Sequence, residues 1–333
     1  MAAKHLDAMV VRDSVPRRSV LQCAALALAG CRGTPGALPS RWGAAGLGRP
    51  RALAAAAGHV FVLDDSPEGF AGAVVFRVPL TGGLARAAVH EPRGIIGAAA
   101  CPAGLVWAVR REGLLRAMSH DRGATPRTLA TRQQGFASAM ATDGREVFCS
   151  TLDGPLMAVP LGGGPGRALF PAAVYVLALG PGALVFFADG ALRSVPHGDG
   201  VATVLAPARD VAAIVVRGPY VYWTEHAQPR GTLTGALRRV ALAGGAVETL
   251  VERIHDPDTL AVGDERAWYA GTHFVPEARV RVHAVGSVGL ADRRHRYSES
   301  SVTVTDLLCE GASLYLTGTA GGKVGGVVRR QPA

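Results

Sequence analysis

The residues of this chain best suited to chemistry are imidazoles and carboxylates that fall at the ends of apolar runs. Asp64, Asp65 and Glu68 follow HVFVL, and Asp210 precedes VAAIVV. Glu225, His226 and Arg230 follow YVYWT, while His255, Asp256 and Asp258 stand together in RIHDPD. His273 lies in GTHF, and Asp306 follows VTVT. An imidazole beside a carboxylate can move a proton, and the same pair of group types can hold a divalent ion with an open position for water. No two of these residues stand at a defined ligand spacing, so the pattern assigns no metal, no cofactor and no catalytic residue. What it gives is a binding-face set: Asp64, Asp65, Asp210, Glu225, His226, His255, Asp256, His273 and Asp306. The chain contains no P-loop, no GxGxxG after a strand, no GxSxG elbow and no HExxH.

Residues so far apart in sequence can act together only if a repeated element brings one end of each unit to a common place. Such a repeat is present. An aromatic residue recurs in short β-type runs: HVFVLDD with Phe61, LVWAVR with Trp107, EVFCST with Phe148, LVFFAD with Phe186, YVYWTE with Tyr222, RAWYAG with Trp268 and SLYLTG with Tyr315. The steps between these residues run from 36 to 47. After the aromatic run comes a second run closed by glycine, as in VVFRVPLTGG and ALRRVALAGG, and then a short run that can pair back. A small-residue apolar run, such as GIIGAAACPAG, precedes the next aromatic. Periods in the forties with about four strands per unit predict an all-β chain folded as a single β-propeller. Seven anchors predict seven blades of four antiparallel strands, or six if the short unit at 174–210 is not a full sheet. The last unit stops after a third strand, and residues 38–50 are expected to close that blade. Loops before each inner strand and after each aromatic strand then share one end of a central channel, which gathers the candidate set there. The aromatic anchors themselves are expected to be core, where burial of such rings contributes about 1.5–3 kcal/mol each.

Tyr222, Trp223 and Thr224, followed by Glu225 in place of aspartate, resemble the YWTD-type propeller repeat. The strict form occurs once; the other units keep the aromatic and lose the tail. That family is usually six-bladed, so seven anchors depart from it. The resemblance implies extracytoplasmic binding of another protein rather than catalysis.

The N-terminus supplies an address. In VPRRSVLQCAALALAGC, Arg17 and Arg18 precede an apolar run that is too short to span a bilayer, which is the order of a secretory signal. Leu28 to Cys31 resembles a bacterial lipobox, which implies acylation of Cys31 and removal of residues 1–30. PRRSVLQ also resembles a twin-arginine export signal. The expected organisation is therefore a signal peptide at 1–30, a lipidated N-terminus and linker at 31–40, and the propeller at 41–333. Cys101, Cys149 and Cys309 each sit in an apolar run and are expected as buried free thiols.

The net charge of +9 comes almost wholly from arginine, since Lys4 and Lys323 are the two lysines. The arginines are scattered, with one denser run at Arg293, Arg294 and Arg296, so nucleic acid is not expected as a partner. The sequence thus predicts a periplasmic or cell-surface lipoprotein of a Gram-negative bacterium. Its propeller is expected to be a non-catalytic module for a protein, peptide or glycan. The alternative is a metal-dependent hydrolase or lyase, lactonase-like, built on His226, His255, Asp256 and His273.

Overall fold

The structure is a computed structural model that describes Leu47 and residues 50–332, apart from 66–71, 111, 122, 133–134, 199, 227, 229–233, 276–279, 301 and 321–325. For residues 51–53, 272–275, 280–282, 298–300, 302, 319–320 and 326–332 the description is of backbone alone. The chain separates into Met1–Leu38 and Pro39–Ala333, and every described residue belongs to the second unit. The signal segment, Cys31, Glu68 and Arg230 lie outside the described residues, as does nearly all of 38–50.

Among the described residues there is no helix, and the strands form seven antiparallel sheets in chain order. The first holds β1 (Pro50–Ala56), β2 (His59–Asp64), β3 (Ala73–Pro79) and β4 (Arg86–Glu91). The second holds β5 (Ile95–Cys101), β6 (Gly104–Val109), β7 (Leu114–Met118) and β8 (Arg127–Thr131). The third holds β9 (Phe136–Thr142), β10 (Glu146–Thr151), β11 (Leu156–Pro160) and β12 (Arg167–Phe170). The fourth, whose completeness was in question, is a full sheet of β13 (Leu177–Gly180), β14 (Ala183–Ala188), β15 (Ala191–Pro196) and β16 (Thr203–Pro207). The fifth holds β17 (Val211–Arg217), β18 (Tyr220–Glu225), β19 (Gly235–Ala241) and β20 (Glu248–Ile254). The sixth holds β21 (Pro257–Val262), β22 (Arg266–Val275), β23 (Val280–Gly289) and β24 (His295–Ser300). The last has three described strands, β25 (Val302–Glu310), β26 (Ser313–Ala320) and β27 (Gly326–Pro332).

The first strands lie against one another in the order β1, β5, β9, β13, β17, β21 and β25, and β25 returns to β1. The sheets therefore close on themselves. Their apolar faces meet in seven clusters, each spanning two successive sheets. The cluster joining the last sheet to the first packs Tyr315 against Val60, Val62 and Leu47.

All seven aromatic anchors are buried core, as their spacing predicts. They do not share one face. Phe61, Phe148, Tyr222, Trp268 and Tyr315 pack towards the following sheet, whereas Trp107 and Phe186 pack towards the preceding one. A shift of one residue along a strand moves a side chain to the opposite face. Trp107 is thus in register with Trp223, not with Tyr222. Trp107 faces Arg116 across the strand pair and Trp223 faces Arg238. Each pair shares a glutamate. Trp107 Nε1 and Arg116 donate to Glu91 at 3.4 and 2.9 Å, and Trp223 Nε1 and Arg238 Nε donate to Glu225 at 2.9 and 3.0 Å.

Cys101 and Cys149 are buried and Cys309 is partly buried, all three as free thiols. Burial pushes the Cys149 and Cys309 thiols up to about 12, far from the thiolate range that reactivity needs.

Trp223 is fully buried while its indole N–H satisfies a carboxylate. Replacing it by alanine opens a cavity and removes a donor from Glu225, so Trp223→Ala is expected to cost about 3–5 kcal/mol. Urea unfolding followed by circular dichroism measures this, and a loss below about 1 kcal/mol would contradict the packing described.

Candidate functional site

The first strands carry a shared irregularity near their starts. In β1, β5, β17, β21 and β25 one residue has no partner on the second strand; these are Arg51, Ile96, Ala212, Asp258 and Thr305. In β9 the register slips further, and Ser138 stands within the slipped segment. β13 pairs evenly with β14. A β-bulge re-aims its side chain out of the ladder. Four of these re-aimed residues, Ile96, Ser138, Asp258 and Thr305, line one cavity of about 520 Å³, together with Leu63, Gly97, Ala98 and Val304. Because the lining comes from the starts of first strands in four sheets, the cavity is the mouth of the space that the closed ring of first strands surrounds.

Most of the wall is apolar or small, and Asp258 is its charged group. Asp258 Oδ1 lies 3.1 Å from Nε2 of His226, whose Nδ1 faces Asp210 Oδ1 at 3.5 Å. Asp210 Oδ2 in turn accepts from Gln228 Nε2 at 2.6 Å, and its carbonyl accepts from the His226 N–H at 3.1 Å. Asp210 holds this place with a positive φ of 41°, a conformation that aspartate tolerates better than most residues. The His226 side chain is 10% exposed and that of Asp258 is 50% exposed. The imidazole is thus held from behind while the second carboxylate opens to the cavity.

Two residues that sequence reading did not single out stand next to this group. Nε2 of His283, on β23, lies 2.7 Å from Thr303 Oγ1 on β25. Burial holds the His283 imidazole below its usual range, and the neighbouring Asp258 carboxylate acts in the opposite direction. His283 lies inside β23 and Thr303 is the second residue of β25, and no loop signature marks either. Nor does any motif mark Ile96, Ser138 or Thr305, which sit in unremarkable runs.

The remaining candidates are dispersed. Asp64 is buried at the end of β2, paired across to Pro50 and Val74. Asp65 accepts from Arg110 at 3.4 Å. Glu225 is committed to Trp223 and Arg238 and also accepts from the Arg209 N–H at 3.3 Å. His255 and Asp256 lie in the link between β20 and β21, with Asp256 buried. Asp306 Oδ1 accepts from the Leu307 N–H at 2.8 Å. The backbone of His273 pairs with Val282 in β22, and its side chain lies outside the described residues. Of the nine, the structure brings Asp210 and His226 to the cavity group. Among the described residues no three His, Cys, Asp or Glu side chains gather in a metal-holding arrangement.

No protein-family model and no curated protein matches the chain. Solved structures do resemble it in fold. Puromycin hydrolase superposes with a TM-score of 0.63 at 19% identity over 86% of this chain, which spans 53% of that protein. A catalytically inactive histidine variant of virginiamycin B lyase from Staphylococcus aureus superposes at 0.60 with 12% identity, over 87% of this chain and 96% of the lyase. A GH74 enzyme from Niastella koreensis gives 0.63 at 12% identity, with 84% of this chain against 52% of that one. With these neighbours, the all-β sheets closing in sequence order are a β-propeller.

His283 beside the cavity and His295, on the outermost strand of the same sheet, are both imidazoles held low by burial. His295 Nε2 pairs with the Tyr269 hydroxyl at 2.7 Å, and burial holds both imidazoles below the ordinary value of 6.5. The unfolded chain therefore takes up these protons at a higher pH than the folded one. Their contribution to stability is complete above about pH 6.5 and is lost as the pH falls through the folded values. A melting temperature that is level from pH 7 to 8 and falls below about 6.5 is expected. In the His283→Gln, His295→Gln double variant the fall should be shallower; an identical profile would overturn the assignment.

Proposed function

We propose that the protein is an exported, lipid-anchored propeller of seven blades that binds its ligand in the cavity at the mouth of the central channel. The ligand is small enough to enter that mouth: a peptide or glycan end, or a free small molecule. The observation that carries this reading is the convergence of four bulged side chains, Ile96, Ser138, Asp258 and Thr305, on one cavity. Register breaks repeated near the starts of the first strands in six of the seven sheets are costly to the ladder unless the released side chains have a use there. A volume of about 520 Å³ lies within the range of small-molecule sites. Seven sheets among the described residues and the return of β25 to β1 support the blade count. The neighbours are enzymes, but likeness at 12–19% identity carries the fold and not their chemistry.

Ligand-observed NMR with a fragment library tests the site. Ser138 is exposed within the wall, so Ser138→Trp should fill the mouth without disturbing the core. Fragments bound by the native protein should be lost from this variant while its melting temperature is retained. Fragments that still bind the tryptophan variant would place recognition elsewhere.

Export and anchoring rest on the segment ending at Cys31. A strain fed an alkynyl fatty acid should label the native chain, and Cys31→Ser should abolish the label. Equal labelling of both would remove the lipoprotein reading.

A further inference from the structure

The cavity wall also carries a statement about what it selects. This chain has 35 basic residues, nearly all arginine, and many of its carboxylates are taken by them. Asp65, Glu91, Glu146, Asp189, Glu225, Glu248, Asp264 and Asp292 each pair with an arginine. Asp258 is different. Its Oδ1 is tied to His226, and among the described residues its Oδ2 accepts no hydrogen bond and no arginine pairs with it. The cluster of Asp210, His226 and Asp258 carries net negative charge whether the imidazole is singly or doubly protonated. The rest of the lining is Leu63, Ile96, Gly97, Ala98 and Val304, which are apolar or small, with two hydroxyls; that of Thr305 donates to the Pro50 carbonyl, and that of Ser138 has no partner among the described residues.

Resting on the binding reading above, we infer that the cavity selects an organic monocation, an amine borne on an apolar body. The ammonium donates to Asp258 Oδ2, the apolar part lies against Leu63, Ile96 and Val304, and Ser138 serves a further polar group. Two features argue for this occupant over a neutral one, and two more exclude an anion and a bare metal ion. A carboxylate facing a largely apolar wall is strengthened as an electrostatic partner when a ligand displaces water. Its position is fixed in advance by the chain from Gln228 through Asp210 and His226, so little ordering is required on binding. An anionic ligand would meet like charge at Asp258, the one charged side chain of the wall among the described residues. A bare divalent ion needs several converging oxygen or nitrogen ligands, and Asp258 offers one open oxygen.

Three isosteres separate charge from shape: benzylamine, benzyl alcohol and benzoate, titrated at millimolar concentration by ligand-observed NMR on the full chain. Benzylamine is expected to bind roughly tenfold more tightly than the alcohol, with benzoate weakest. Its affinity should fall as salt is raised, while that of the alcohol stays level. Asp258→Asn keeps the shape of the side chain and should bring benzylamine down to the alcohol. If the alcohol and benzoate bind as well as the amine, and all three are lost in Ser138→Trp, the cavity stands as the site and the selection for a cation falls. If none of the three binds the native protein, both readings fall. A preference for the amine that survives in Asp258→Asn would overturn the role given to that carboxylate.

Discussion

A sheet that faces a neighbour on each side has no face left for water, and the rest of the molecule follows from this. The second strands show it most directly: all six residues of β6 are buried, as are five of six in β2 and in β10. A strand with one wet face would alternate, whereas these read as near-continuous apolar runs. Fourth strands lie at the rim and do alternate in part, as in β4 with its exposed Arg86, Ala87 and His90. Polar groups that remain inside must bring their partners with them. The buried Glu91 does so by taking Trp107 and Arg116.

The same constraint gives the arginines a task. Many bridge one sheet to the next: Arg110 to Asp65, Arg116 to Glu91, Arg217 to Asp264 and Arg293 to Glu248. Arg127 donates to the carbonyl of Leu161, and Arg167 donates to the carbonyls of His197 and Gly198. A guanidinium has five donors on a long arm, so it can reach across a wedge that widens outward and satisfy carbonyls as well as carboxylates. The exposed pairs among them, such as Arg217 with Asp264, contribute little singly. They add directional contacts between sheets whose apolar contacts are non-directional. An even scatter of basic residues along the sequence is what such bridging requires, and it differs from the clustering that a polyanion surface would need.

How far the sequence could be read depended on period. The anchors and the glycine-closed turns repeat at intervals long enough to identify units, so the sheets and their strand order were legible, including the full sheet at 177–207. The face on which an anchor sits depends on a single residue of register, and Trp107 and Phe186 differ from the rest in that respect. No aromatic spacing records it, because the cross-strand partner decides the face. The site was legible in part for a related reason. His226 and Asp210 stood out as polar residues at strand ends, and Asp258 stood out beside His255 and Asp256. Ser138 and Thr305 did not, since their role comes from a bulge, and a bulge is a property of two strands together. His283 and Thr303 were invisible for the same reason: they meet across two sheets.

Crowding near the axis accounts for the asymmetry of the site. β5 and β9 approach so closely that a Cβ on Gly97 would lie 2.3 Å from the Ser138 carbonyl oxygen, which restricts that position to glycine. On the arc from sheets two and three, Gly97, Ala98 and Ser138 line without reaching, and the bulged Ile96 is the one large side chain. On the opposite arc the close approach lies one strand outward: a Cβ on Gly271 of β22 would lie 1.9 Å from the Asp256 carbonyl oxygen. That contact holds the start of β21 against β22. Asp258, one residue past the β21 start, reaches the cavity from the bulge there and is held by His226. The glycines at 97 and 271 stand where backbones touch, and the bulged side chains beside them, Ile96 and Asp258, give the wall its large apolar group and its charge.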